Sequence, residues 1–239
     1  MTTATRKTRP KLKRGDPVLG GRSKLLAAAL QLAATTRSWA SMGLREVARH
    51  AGVNPNTFYR HFKDFDELGL ALIQQISGEL RSGLRARRRN LTGGRLASPV
   101  STERAQEIVR ESVALALDFA TEYGAAYVVA IRELHGGSPV LRKALRQVMD
   151  DLAIEMAEDI LNLLPAGLLD ERTVHELSQI VIRQMSFLSL EYVEHPERRD
   201  ELRLQAETFI LMLFMGAIAS RDFGALEAIA SRFSSSIEH

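Results

Sequence analysis

The sequence predicts an all-α fold, with an N-terminal helix-turn-helix three-helix domain followed by a C-terminal helical bundle. Three observations predict it. Beyond about Arg22 no stretch alternates β-branched and polar residues, apolar positions recur at helical spacing almost throughout, and Gly and Pro punctuate the periodic segments. With 239 residues and 45% hydrophobic content, the chain can bury a sizeable core.

The first helix is expected over residues 23–36, with Leu25, Leu26, Ala29, Leu32 and Ala33 on one face. Trp39 and Met42 fall in the loop that follows and plug the small N-terminal core. Gly43 precedes a short second helix over 44–51, with Leu44, Val47 and Ala48 inward, and Gly52 supplies the turn. Asn54 suits an N-cap and Pro55 the first helical position, where its missing N–H costs nothing, so a third helix runs to about Phe62. Asp64 with Glu67 three residues later resembles a capping box and opens a long fourth helix. Leu68, Leu72, Ile73, Ile76, Leu80 and Leu84 stripe it until the Arg-rich stretch 85–89, and residues 92–99 form a loop. Further helices are expected at about 102–121, 124–134, 139–164, 171–194, 196–220 and 225–233. Gly136-Gly137-Ser138-Pro139, Pro165-Ala166-Gly167 and His195-Pro196 separate them. The expected organisation is a basic flexible arm at 1–21, a helix-turn-helix domain at 22–79, and a sensing and dimerisation domain at 80–239.

Charge is unevenly placed. Residues 1–24 carry eight Lys/Arg against Asp16 alone, a local +7 in a chain whose formal total is +3. A basic arm on a mildly acidic body fits a molecule that meets phosphates at one end. The absence of cysteine rules out a disulfide framework and thiolate-rich metal sites and fits a cytoplasmic location. No apolar h-region follows the basic N-terminus. The longest apolar run, residues 209–219, is shorter than the about 20 residues a bilayer span needs, so no membrane insertion is expected.

Residues 44–62, LREVARHAGVNPNTFYRHF, form a helix, a glycine turn and a second helix, the sequence form of a helix-turn-helix. Val53, Phe58 and Phe62 are spaced to anchor the second helix. Asn54, Asn56, Thr57, Tyr59, Arg60, His61 and Lys63, with Arg45 at the start of the preceding helix, can reach outward. Asn can bond adenine and Arg guanine bidentately, and Thr can contact the thymine methyl. Tyr59, His61 and Lys63 suit phosphate contacts, which fix register.

Over about residues 23–72 the chain resembles the TetR family of repressors. The resemblance rests on the Phe58-Tyr59-Arg60-His61-Phe62 core and the Asp64 to Leu68 stretch behind it. Leu44-Arg45-Glu46-Val47-Ala48 and the residues 57–70, TFYRHFKDFDELGL, are similar to the FabR/DesT type, repressors of unsaturated fatty acid synthesis. Ile131-Arg132-Glu133-Leu134 before a Gly/Ser turn is similar to the same subgroup. The resemblance implies a homodimer on palindromic double-stranded operator DNA, joined through a four-helix bundle made by the last two long helices. It also implies a pocket for a small hydrophobic effector such as a long-chain acyl thioester.

The residues 209–219, FILMLFMGAIA, are apolar on every face, so a helix made of them must be covered all round. Val109, Val113, Leu117, Phe119, Tyr127, Met149, Leu152, Met156, Met185, Phe187 and Leu188 are apolar candidates for the pocket, and Met149, Met156, Met185 and Met212 suit an adaptable cavity, since Met repacks readily around a flexible chain. Arg132, Arg142 or His135 could pair with a polar head group, and Glu133 could bond Arg132 or Arg142. No cofactor or metal is implied: the six histidines are scattered, and no nucleophile elbow, P-loop or dinucleotide-binding glycine pattern occurs. Asp150, Asp151, Glu155, Glu158 and Asp159 read as the solvated face of one long helix, so an enzyme is not expected. A purely architectural DNA-binding protein would not need the large bundle. A repressor of a drug-efflux or catabolic operon would differ only in pocket and operator.

Overall fold

The computed structural model describes residues 20–35, 39–92, 102–164 and 167–222, all of whose regular structure is helical. Most of the basic arm, residues 93–99 of the expected loop and the expected short helix at 225–233 lie outside the described residues, and Thr92, expected in that loop, ends a helix.

The first helix, α1 (Gly21–Thr35), starts two residues before the position expected from sequence and buries Leu25, Leu26, Ala28, Ala29, Leu30 and Ala33. Trp39 does not sit in an open loop: residues Trp39–Ser41 form a 3-10 turn with the indole buried. Helices α2 (Leu44–His50) and α3 (Pro55–His61) follow, joined through Gly52 at φ +65, a left-handed conformation that glycine adopts at no steric cost. Asn54 caps α3 by accepting the Asn56 N–H at 2.9 Å, with Pro55 in the first turn. Helix α4 (Phe65–Thr92) opens with the reciprocal arrangement of a capping box: Asp64 accepts the Glu67 N–H at 2.9 Å, and the Glu67 carboxylate accepts the Lys63 N–H. Its backbone stays helical through the Arg-rich stretch.

Behind it lie α5 (Thr102–Glu122), α6 (Gly124–Glu133), α7 (Pro139–Leu163), α8 (Glu171–Glu194) and α9 (Arg199–Asp222). A 95° bend separates α5 from α6. Ser138 caps α7 and also donates to Asp66 at 2.8 Å, tying that helix to the first turn of α4. Asp170 caps α8 by accepting both the backbone N–H and the hydroxyl of Thr173, which hold its carboxyl below the usual carboxylate range.

The N-terminal core is continuous with the bundle. Leu25, Trp39, Val47, Phe58, Phe62 and Leu68 pack in one cluster with Ala126 and Val129 of α6 and Leu141 of α7. A second cluster joins α5, α8 and α9 through Val113, Leu117, Val181, Leu188, Leu202 and Ile210. The acidic stretch of α7 departs from the sequence expectation of a solvated face. Glu155 is buried and bonds Arg81 of α4 at 2.7 Å, and Asp151 meets the same guanidinium at 3.1 Å. A cation from a neighbouring helix was not visible in the periodicity of α7 alone.

Candidate nucleic-acid interface and effector cavity

Helix α3 is held from beneath by a ring stack. Phe58 is fully buried, with ring centroids 5.7 Å from Phe62 and 5.5 Å from Phe65. The opposite face carries the polar set: Arg45, Asn54, Asn56, Tyr59, Arg60, His61 and Lys63 are exposed, Tyr59 at 67%. Thr57 is half-buried, because it and His61 face the start of α1. A Cβ on Gly21 would lie 2.7 Å from the Thr57 methyl and 3.0 Å from His61 Nε2, so this approach needs glycine. The side-chain oxygen of Asn54 is engaged in its cap. Arg22 was not singled out in sequence as a contact residue. It lays its guanidinium 5.5 Å from the Phe62 ring centroid, which brings the root of the basic arm beside the end of α3.

Residues 25–72 match the family model described as "Bacterial regulatory proteins, tetR family". Over these residues the N-terminal unit is similar to that family. The whole-chain architecture agrees with solved regulators of that fold. The chain is similar to the fatty acid degradation regulator FadR from Bacillus halodurans, at 18% identity and TM-score 0.61, over 84% of this chain and 96% of that one. It is similar to a tetR-family transcriptional regulator from Streptomyces coelicolor, at 18% identity and TM-score 0.58, over 92% and 98%. It is also similar to a TetR-like transcriptional regulator from Rhodococcus sp. RHA1, at 14% identity and TM-score 0.62, over 85% and 100%. Among the described residues no group of three or more His, Asp or Glu could hold a metal ion.

Behind the N-terminal helices, α4 to α8 together with Ile210 of α9 line a cavity of about 330 Å³. Val113, Phe119, Tyr127, Met149, Leu152, Met156 and Met185 line it, whereas Val109, Leu117 and Leu188 belong to the core cluster beside it and Phe187 and Met212 are exposed on the outside of α8 and α9. Tyr127 donates to the Ser186 carbonyl at 3.3 Å, and burial pushes its phenol pKa up, so the cavity wall carries a neutral O–H there.

Arg132 is elsewhere. Its side chain is 55% exposed and pairs with Glu194 at 3.7 Å on the outside of the bundle. One residue of α-helix is about 100° of rotation, so when Glu133 turns inward its neighbour must turn away. His135 is exposed, and Arg142 gives a guanidinium N–H to the Gly136 carbonyl, so neither expected head-group partner lines the cavity. Glu133 bonds neither arginine: its Oε1 accepts the Trp39 backbone N–H at 2.9 Å. Trp39 and Glu133 both line the cavity, and sequence reasoning placed neither there. The one available signal was the position of Trp39 as the chain's single tryptophan, between two helices of a small domain.

Two further links hold α4. Besides Ser138–Asp66 and the Arg81 pairs, Tyr123 donates to Glu79, whose carboxylate is the main cause of a phenol pKa pushed up to about 12. Trp39 donates its indole N–H to the Phe65 carbonyl at 3.1 Å. Helix α4 is therefore tied from Phe65 to Arg81 to the elements packed beside it.

Proposed function

We propose that the chain is a homodimeric, ligand-responsive repressor that reads a palindromic operator with α3 and senses an elongated apolar effector in the cavity. One observation carries the reading: α4 forms a wall of the cavity through Leu72, Ile73, Ile76 and Leu80, and three residues separate its first turn from the end of α3. An effector that favours one packing of α4 then biases the spacing of two reading helices by its differential affinity for the two arrangements. The assigned units are the arm at 1–21, the DNA-binding domain at 22–79 and the sensing and dimerisation domain at 80–239. A cavity walled by methionine, leucine and isoleucine suits a flexible acyl chain. The fold likeness to a fatty acid degradation regulator favours genes of lipid metabolism as targets, and the resemblance of residues 44–48 and 57–70 to the FabR/DesT type favours those of unsaturated fatty acid synthesis. The test is a gel-shift titration of the operator with long-chain acyl thioesters. Unchanged operator affinity at saturating thioester would overturn the acyl-sensor reading.

Tyr59 and Lys63 are assigned to phosphates. Tyr59→Ala and Lys63→Ala are each expected to weaken binding by about tenfold on every DNA sequence, with the slope of log affinity against log salt reduced by about 1 for the lysine. A change of base preference without general weakening would assign these side chains to base edges instead.

A further inference from the structure

The end of the cavity nearest the reading helix holds a carboxylate that the fold does not satisfy. Glu133 closes α6 with 5% of its surface exposed, and it lines the cavity with Trp39, Leu134 and Leu141. Oε1 takes the Trp39 N–H, while Oε2 is buried with no hydrogen-bond partner among the described residues. A carboxylate oxygen removed from water and left unbonded carries the full desolvation cost of the group, so this one is placed for a donor that the described residues do not supply. The nearby cations are committed elsewhere: Arg132 to Glu194, Arg142 to the Gly136 carbonyl, and Arg81 to Asp151 and Glu155. Gly136 makes room for the carboxyl group, since a Cβ there would lie 1.9 Å from Oε2.

The rest of the lining sharpens the chemistry. Among the described lining residues there is no Lys, Arg or His, and the other ionisable carboxyl, Asp159, is also an acid. A ligand with an anionic head would place like charges together in a poorly solvated wall, with no cation to offset them. A donor head meets the opposite situation.

We propose that Glu133 is the head-group site of the effector, and that the effector is an elongated apolar molecule ending in a hydrogen-bond donor: an ammonium, an amide N–H or a hydroxyl. The donor bonds Oε2, and the apolar body lies along Met149, Met156 and Met185. The inference rests on the reading of this cavity as the effector site. The amide N–H groups beyond the sulfur of a pantetheine thioester belong to the class, whereas the carboxylate of a free fatty acid does not. Occupancy is reported over a short path, because Oε1 of the same carboxyl holds Trp39 and the Trp39 indole holds the first residue of α4.

The single tryptophan makes the test direct. Full-length protein is titrated with dodecylamine and dodecanoate below their critical micelle concentrations and with dodecanol below its solubility limit, while Trp39 emission is followed. Amine and alcohol are expected to bind at least about tenfold more tightly than the carboxylate, a difference of 1.4 kcal/mol. Glu133→Gln keeps an acceptor for the Trp39 N–H and puts an amide donor where Oε2 stood. In this variant, with an unfolding midpoint close to that of the parent as the control for folding, the order is expected to vanish or reverse. Equal or tighter binding of dodecanoate to the parent, or an order unchanged in Glu133→Gln, overturns the head-group assignment and leaves the apolar cavity reading standing. Failure of all three probes to bind the parent overturns the cavity reading itself, and the assignment with it.

Discussion

A chain carrying Met212→Asp and Met215→Asp is expected to be monomeric, well folded, and weaker on its operator by roughly 10²–10⁴-fold, the factor that linking two half-site contacts supplies. The expectation comes from the outer face of α8 and α9. Leu204, Met212 and Met215 recur at helical spacing along α9, with Met212 at 71% exposure, and Ile180 and Phe187 stand two turns apart on α8, which packs beside it. The opposite side of α9 is already occupied, since Leu202, Ala206 and Ile210 are buried against α5 and α8. A single soluble chain rarely leaves so long an apolar strip uncovered. Two helices from each of two copies would close it as a four-helix bundle about a two-fold axis. The stretch Pro196–Ser220 is also long and apolar enough by composition to cross a membrane. Both methionines lie outside the cavity lining, so the variant should keep its helical content and its affinity for amphiphiles. Sedimentation equilibrium and a gel shift check it together. A dimer that persists at micromolar concentration would move the interface elsewhere.

What could be read in the sequence divides along physical lines. The limits of α3 were legible because Asn54 and Pro55 have local, backbone-level reasons to stand where they do, and those reasons survive any tertiary context. The same holds for Asp64 with Glu67 and for the left-handed Gly52. The phase of α6 was not legible. Its run from Ala125 to Ile131 is apolar all round, so no polar face marks which side meets solvent, and the sequence favoured Arg132 where the fold turned Glu133 inward. Glu155 was misread for a related reason: a carboxylate on a long helix looks solvated until the helix opposite is seen to bring Arg81 against it. The apolar cavity residues were legible only in part: those on inward stripes, such as Val113 and Met156, line it, but Phe187 and Met212 stand on apolar faces that turn outward, which composition alone does not distinguish. Trp39 was not, because its role depends on three elements meeting around one side chain.

Phe58→Ala is expected to cost about 3–5 kcal/mol, the usual range for deleting a buried phenylalanine, out of a total stability of only about 5–15 kcal/mol. Its ring sits between Phe62 and Phe65 with no exposed surface, and no neighbour can collapse into the space without moving the start of α4. For a chain of this size the unfolding midpoint should fall by roughly 6–20 °C. Operator binding should fail with it, because α3 has no other apolar side chain fully buried beneath it. The adjacent residue gives the contrast that makes the experiment decisive. Tyr59 touches Phe58 edge to face at 5.8 Å but is mostly exposed, so Tyr59→Ala should cost about 1 kcal/mol or less in stability while still weakening DNA binding. Thermal melts and gel shifts on both variants separate the two roles. A Phe58→Ala chain that melts like the parent would mean that α3 is held by something other than its aromatic underside. A Tyr59→Ala chain that loses several kcal/mol would mean that its ring packs inward and is unavailable to a duplex.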